Sequence, residues 1–160
     1  MKKVLSLFLM VSFLAFGTGV YAENILPANI PVTVQVNNNY SSDSLNVGDN
    51  VIFSVLSDIT ANSNIAIPAG TSVYAAVKNV KSSSRIGKSG MISLGDFYTT
   101  SKNGVKIPLT GVIEERAKSK TGLSVALSLL MPFFLLMHGE NAHLNQGAQY
   151  TLFTSSNTSL

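Results

Sequence analysis

Apolar and polar residues alternate in several stretches of this chain. Val32, Val34 and Val36 are separated by Thr33 and Gln35. Over 50–57, Val51, Phe53 and Val55 share one parity, and Ile52, Ser54 and Leu56 share the other. Val73, Ala75 and Val77 alternate with Ser72, Tyr74, Ala76 and Lys78. A period of two puts successive side chains on opposite faces, so each stretch predicts a strand with one buried face. Ile52 and Leu56 imply that the second face of their strand is partly covered. Met91–Thr100, Val105–Ile113 and Gln149–Phe153 add further strands, with Pro108 implying an edge or bulge position.

Turn residues separate these runs. The stretch Ile65–Val80 is the predicted organiser: two apolar runs flank Pro68-Ala69-Gly70. Proline presets φ for the second position of a tight turn, and Gly70 supplies positive φ two residues later. Asn103-Gly104 predicts a two-residue hairpin turn. Gly147, in Leu144-Asn145-Gln146-Gly147-Ala148, predicts a bend before the last strand. Asn37–Ser44 and Asp58–Asn64 read as polar turns, and Pro27 and Pro31 oppose helix in the lead-in. No amphipathic stretch is long enough to supply the crossovers of a parallel sheet. The prediction is all-β: a small barrel or sandwich-like barrel.

Two segments depart from the alternation. Residues 1–22 combine Lys2 and Lys3, the apolar run Val4–Phe16 and the small-residue end Val20-Tyr21-Ala22. That is the layout of a secretory signal peptide, with a retained anchor as the alternative. The second segment, 122–138, is predicted as one short apolar helical insert near the C-terminus of a single domain over 23–160. Leu123–Met137 has no charge and is interrupted by Pro132. It is shorter than the ~20 residues of a spanning helix. Three readings stand open: Leu123, Val125, Leu127, Leu130, Phe133, Phe134 and Leu136 dip into a membrane, contact another copy, or cap the barrel.

Composition narrows the compartment. The chain has no cysteine, so neither lipoprotein processing nor a disulfide staple is available, which suits a bacterial envelope protein. Formal net charge is +3, from eleven Lys and Arg against eight Asp and Glu. Removing Lys2 and Lys3 leaves nine basic residues, all between Lys78 and Lys120, while 23–77 holds only acids. Lys78, Lys81, Arg85, Lys88, Lys118 and Lys120 are the candidate contacts to an anionic surface; solvated strand edges are the plainer account. No aromatic residues interleave with them as in a nucleic-acid module, so no nucleic acid is expected.

No enzyme signature assembles. Ser84-Arg85-Ile86-Gly87-Lys88 lacks the second glycine and following helix of a phosphate loop. His138 and His143 are five apart across Gly139, not four apart on a helix face. Lys120-Thr121-Gly122 has no companion Ser-x-x-Lys nucleophile box. Asp43, Asp49, Asp58, Asp96, Glu114 and Glu115 form no pair that sequence singles out. We therefore expect no catalytic residues, metal or cofactor.

The order of motifs resembles a known family. Gly-Asp precedes a strand, Ile67-Pro68-Ala69-Gly70-Thr71 leads another, and Asn-Gly leads into Val105-Lys106-Ile107-Pro108-Leu109. An apolar insert and Asn145-Gln146-Gly147 then precede the last strand. This is similar to the C-terminal barrel of TrbI-like conjugation proteins, the outer-membrane core component of type IV secretion systems, over most of 45–155. The resemblance implies a late insert that reaches the outer membrane. Beside that family, a barrel alone is expected here, without its proline-rich arm and inner-membrane helix. The expected function is an exported, non-enzymatic envelope scaffold or assembly module. It would dock to a membrane, to other envelope proteins or to copies of itself through the insert. The alternative is a soluble periplasmic module that binds a glycan, lipid or peptide in the barrel mouth.

Overall fold

The computed structural model describes residues 24–84, 88–118 and 139–160. These contain thirteen strands: β1 Ile25–Leu26, β2 Pro31–Val36, β3 Tyr40–Ser41, β4 Asn50–Val55, β5 Ile59–Ala61, β6 Asn64–Ile67, β7 Ser72–Lys81, β8 Met91–Thr100, β9 Lys106–Thr110, β10 Ile113–Arg116, β11 His143–Leu144, β12 Gln149–Thr154 and β13 Thr158–Ser159.

The main sheet runs β10-β8-β7-β4-β2-β12-β9, and β9 also pairs with β8. That extra pairing closes six antiparallel strands, β8-β7-β4-β2-β12-β9, into a barrel. β9 and β10 lie in line along one edge of β8. Tyr98 opposes Pro108, and Leu94 opposes Ile113. Four steps along β8 thus match five along its partner, and the extra residue falls at Gly111-Val112.

Alternation delivers the core. Val32, Val34, Val36, Val51, Phe53, Val55, Val73, Ala75 and Val77 all point inward and are buried. On β8 the inward set is Ile92 and Leu94, then Phe97 and Thr99. The parity changes because Asp96 takes φ 51 and bulges outward against β7. Such a bulge adds twist, which a small barrel needs in order to close. Ile107, Leu109, Ile113 and Leu152 complete the wall, and Phe53 meets Tyr150 edge-on at 6.2 Å.

Each end of the barrel has a plug. At the end where β8 turns into β9, Leu26, Ile59, Ala61, Ala66 and Ile67 are buried under the β1–β13 pair and the β5–β6 hairpin. At the other end, Ala142 and Leu144 are buried beside the β3–β11 pair, with Tyr40 and Leu45 packed against them. We call these the hairpin end and the collar end.

Several expectations need correction. No helix occurs among the described residues. The short apolar helical insert over 122–138 is therefore not part of the observed fold, and that segment lies outside the described residues, as does the leader over 1–22. A uniformly apolar run carries no periodicity that separates helix from other structure, so the helical reading had little physical support. At the organising turn, Thr71 N–H bonds Pro68 C=O at 3.2 Å and Gly70 has φ 80. Pro68 thus opens the turn rather than holding its second position, and Gly70 sits third, as a type II turn requires. At the hairpin, Gly104 has φ 84 while Asn103 stays at negative φ. Gly104 N–H bonds Ser101 C=O, and Ser101 N–H bonds Val105 C=O. That is a three-residue loop, not the two-residue turn, which needs positive φ at both centres.

Closure between β12 and β9 rests on two opposed pairs, Phe153 with Thr110 and Thr154 with Leu109. Thr154 is fully buried, and its Oγ1 accepts from Ile30 N at 2.9 Å and donates to Pro27 O at 2.7 Å. Thr154→Val keeps the shape and strips both bonds, leaving buried backbone groups unpaired. It should lower unfolding stability by about 2 kcal/mol, read as a lower urea midpoint at unchanged slope.

Candidate functional site

The collar end brings together the feet of the two segments outside the described residues. Gly90, just before β8, holds the long one. Gly90 C=O accepts from Ala117 N–H at 3.2 Å, and Gly90 N–H donates to Glu140 C=O at 2.8 Å. Chain leaving after Lys118 and chain returning at Gly139 therefore meet at one residue. Ser84 N–H bonds Lys88 C=O at 3.1 Å and so pinches the base of 85–87. Gly139 N–H bonds Ser84 C=O at 3.2 Å, tying the two bases together.

Ser42 and Asn141 lock this junction from the side. Ser42 is buried; its N–H bonds Ala142 C=O at 2.9 Å, and its Oγ accepts from Ala142 N–H at 3.1 Å. Asn141 Oδ1 accepts from Ser83 N–H at 2.8 Å. Ser82 Oγ donates to Ser42 C=O at 3.0 Å. The packing leaves no room for side chains on the two glycines. A Cβ on Gly90 would lie 2.4 Å from Ser42 Oγ and 2.7 Å from Ala142 N, and one on Gly139 would lie 1.9 Å from Lys88 O. Sequence reasoning passed over Gly90, Ser42 and Asn141. The only trace was a Ser-Gly pair directly before a strong strand pattern, with no turn to explain it.

The barrel sorts the basic residues. Lys78 pairs with Asp96 across β7 and β8, and Arg116 pairs with Glu114. Lys106 Nζ lies 3.9 Å over the Tyr98 ring, which itself stacks on Tyr74 at 5.3 Å. Lys102 sits in the 101–105 loop at the hairpin end. Lys81 ends β7, Lys88 borders Gly139, and Lys118 follows Ala117; all three are exposed at the collar and make no ion pair among the described residues. Arg85, Lys120, Leu123, Val125, Leu127, Leu130, Phe133, Phe134 and Leu136 lie outside the described residues. Pro68, Gly70, Asn103 and Gly104 lie at the hairpin end. Gly147 (φ 89) lies at the collar end, where its N–H bonds Val36 C=O at 3.0 Å.

The acidic residues are dispersed rather than paired. Asp49 accepts from Asn46 N–H at 2.7 Å, Asp58 from Ala69 N–H at 2.7 Å, and Glu115 from Tyr150 Oη at 2.7 Å. Asp96 and Glu114 hold their cations, and Asp43 is exposed in the turn after β3. Among the described residues no three His, Cys, Asp or Glu stand close enough to hold a metal. The Tyr150–Glu115 bond spans β12 and β10, two strands that are not paired in the sheet. Burial, then the hydrogen bond and charge of Glu115, push the Tyr150 phenol above its usual range.

Gly90→Ala should cost roughly 1–3 kcal/mol, because the buried Ser42 hydroxyl and the Ala142 backbone must both move. Limited proteolysis should then cut near 117–118 and 139–142 faster than in the parent. Tyr150 provides a pH test. Its folded pKa is raised, so the unfolded state loses the proton first, and stability present below pH ~10 is lost as pH rises further. Tyr150→Phe should remove part of that alkaline loss in melts between pH 8 and 11. At neutral pH it should cost about 1 kcal/mol.

No family model matches the chain, and no curated protein matches it. Among solved structures it is similar to ComB10 of the Com type IV secretion system of Helicobacter pylori. The identity is 14%, the match covers 82% of this chain and 87% of that one, and the TM-score is 0.43. That overlap is too low to equate the two folds or to carry a role across.

Proposed function

We propose that this chain is an exported, non-enzymatic envelope module. Its barrel holds the apolar segment 122–138 at one end, for docking to an anionic membrane surface or to copies of itself. The observation that carries this reading is the double attachment of Ala117 and Glu140 to Gly90, with Lys81, Lys88 and Lys118 around it. Both feet of the segment leave the barrel at one point, beside Lys81, Lys88 and Lys118, which make no ion pair among the described residues. Apolar residues flanked by lysines match the layered chemistry of a bilayer interface: acyl chains beneath, phosphates above.

The barrel wall plays a supporting part. Lys78, Arg116 and Lys106 are occupied by Asp96, Glu114 and the Tyr98 ring, so the wall adds little net attraction to an anionic surface. The collar holds Asp43, Asp49 and Glu140 as well as Lys81, Lys88 and Lys118, so an end-on orientation would come from the apolar segment, with the three lysines supplying local contacts to phosphate.

Flotation of the purified protein with vesicles tests this. Vesicles containing phosphatidylglycerol should carry the parent upward. The combined change Leu127→Ser, Leu130→Ser and Phe134→Ser should abolish flotation while the urea midpoint of the barrel stays unchanged. Each lysine near an anionic surface contributes about 1 kcal/mol. Lys81→Gln, Lys88→Gln and Lys118→Gln together should thus weaken binding on the order of a hundredfold, and added salt should mimic them. A defined oligomer that the serine changes dissolve, without flotation, assigns the segment to copies of the chain. A monomer that neither floats nor associates refutes the docking reading.

A further inference from the structure

At the hairpin end, opposite the collar, a pocket of about 580 Å³ opens between the tips of two hairpins and the start of β1. It is lined by Asn24, Ser63, Asn64, Ile65, Lys102 and Asn103. We propose that this pocket binds an acidic saccharide, a sugar unit that carries a carboxylate. The proposal is independent of docking at the collar.

The chemistry of the lining selects the ligand class. The volume falls within the range of small-ligand sites, but such sites are usually apolar and this one is predominantly polar. The Asn24 and Asn103 amides each offer a donor pair and an acceptor in one plane, and Asn64, whose Nδ2 also donates to Asn62 C=O at 3.3 Å, offers its acceptor and a remaining donor. Neighbouring sugar hydroxyls, which both donate and accept, present the complementary pattern. Ile65 is 44% exposed and supplies an apolar surface for the C–H face of a ring. Lys102 has no ion-pair partner among the described residues, and it is the only charged residue in the lining. Its exposed ammonium can make a charge-assisted hydrogen bond to a carboxylate held among the amides.

The backbone holds these groups in place. Lys102 N–H bonds Ala66 C=O at 2.9 Å, which fixes the 101–105 loop against β6. Asn62 and Ser63 both take positive φ, 49° and 64°, in the two-residue turn between β5 and β6. Glycine would sit there without strain. A serine in that conformation is strained, and its presence puts a hydroxyl at the pocket rim. Leu160 N–H bonds Asn24 C=O at 2.8 Å and so steadies the third wall.

The test is an amide-resolved NMR titration of the full chain, as processed and purified from cells. The probes are digalacturonate, its neutral counterpart α-1,4-galactobiose, sodium acetate, and a short acetylated peptide with a free C-terminal carboxylate. Digalacturonate should shift the amides of 63–65 and 102–103 saturably. Galactobiose should bind at least about tenfold more weakly, the worth of one charge-assisted hydrogen bond. Lys102→Gln should weaken digalacturonate by a similar factor, and Asn64→Ala should also weaken it. Amides of β2, β4 and β12 should stay unmoved in both variants, showing that the barrel is intact. The proposal is overturned if digalacturonate leaves these amides unmoved or if Lys102→Gln binds as well as the parent. Equal binding of galactobiose overturns it too, as does an equal effect of acetate or the peptide.

Discussion

The barrel depends on its narrowest join. Most neighbouring strands share three or more opposed pairs, but β12 and β9 share two. Thr154 compensates. It pairs with Leu109, exchanges backbone bonds with Asn29 and Ile30, and spends its buried hydroxyl on Pro27 and Ile30. The lead-in to β2 is thereby fastened over the join, and Asn29 takes φ 63 to allow it. Beyond Gly111 the two strands part, and Tyr150 reaches Glu115 across the gap. Closure is thus a matter of a few polar bonds in a wall otherwise held by apolar alternation. Those bonds matter because an unpaired buried backbone group costs more than an average made bond contributes.

Much of the fold was legible because half-buried strands announce themselves by parity. Val32, Val34 and Val36, then Val51, Phe53 and Val55, then Val73, Ala75 and Val77 are the inward rows that alternation predicts. What escaped has definite physical reasons. β1 pairs with β13, and β3 with β11, through two residues each, too few for a period and far apart in sequence. Asp96 resets the parity of β8 with one αL residue, and nothing in the local sequence marks it. The turn at Pro68 was rightly located but shifted by a position, since proline is tolerated at more than one place in a tight turn. The apolar stretch near the C-terminus offered length and hydropathy but no period, so its conformation was never readable.

The candidate site was less legible than the fold. A contiguous basic block invited a single anionic contact. Folding splits it, because some of its members meet acids or a ring on the wall, from another strand or from their own. Lys78 finds Asp96, Arg116 finds Glu114, and Lys106 settles on Tyr98. Lys81, Lys88 and Lys118 remain at one end and Lys102 at the other. Gly90, Ser42 and Asn141 carry no charge and no periodicity. Their importance appears only when four passages of chain meet.

That meeting has a topological consequence. Because Ala117 and Glu140 both bond to Gly90, the ends of whatever spans 119–138 are fixed together by the barrel itself. The entropy of closing a loop between fixed ends grows only with the logarithm of its length, by about 0.6 kcal/mol per doubling. The collar therefore behaves as a socket. The intervening sequence can be lengthened, shortened or exchanged with little penalty to the barrel, so the fold and the segment it presents are free to diverge at different rates.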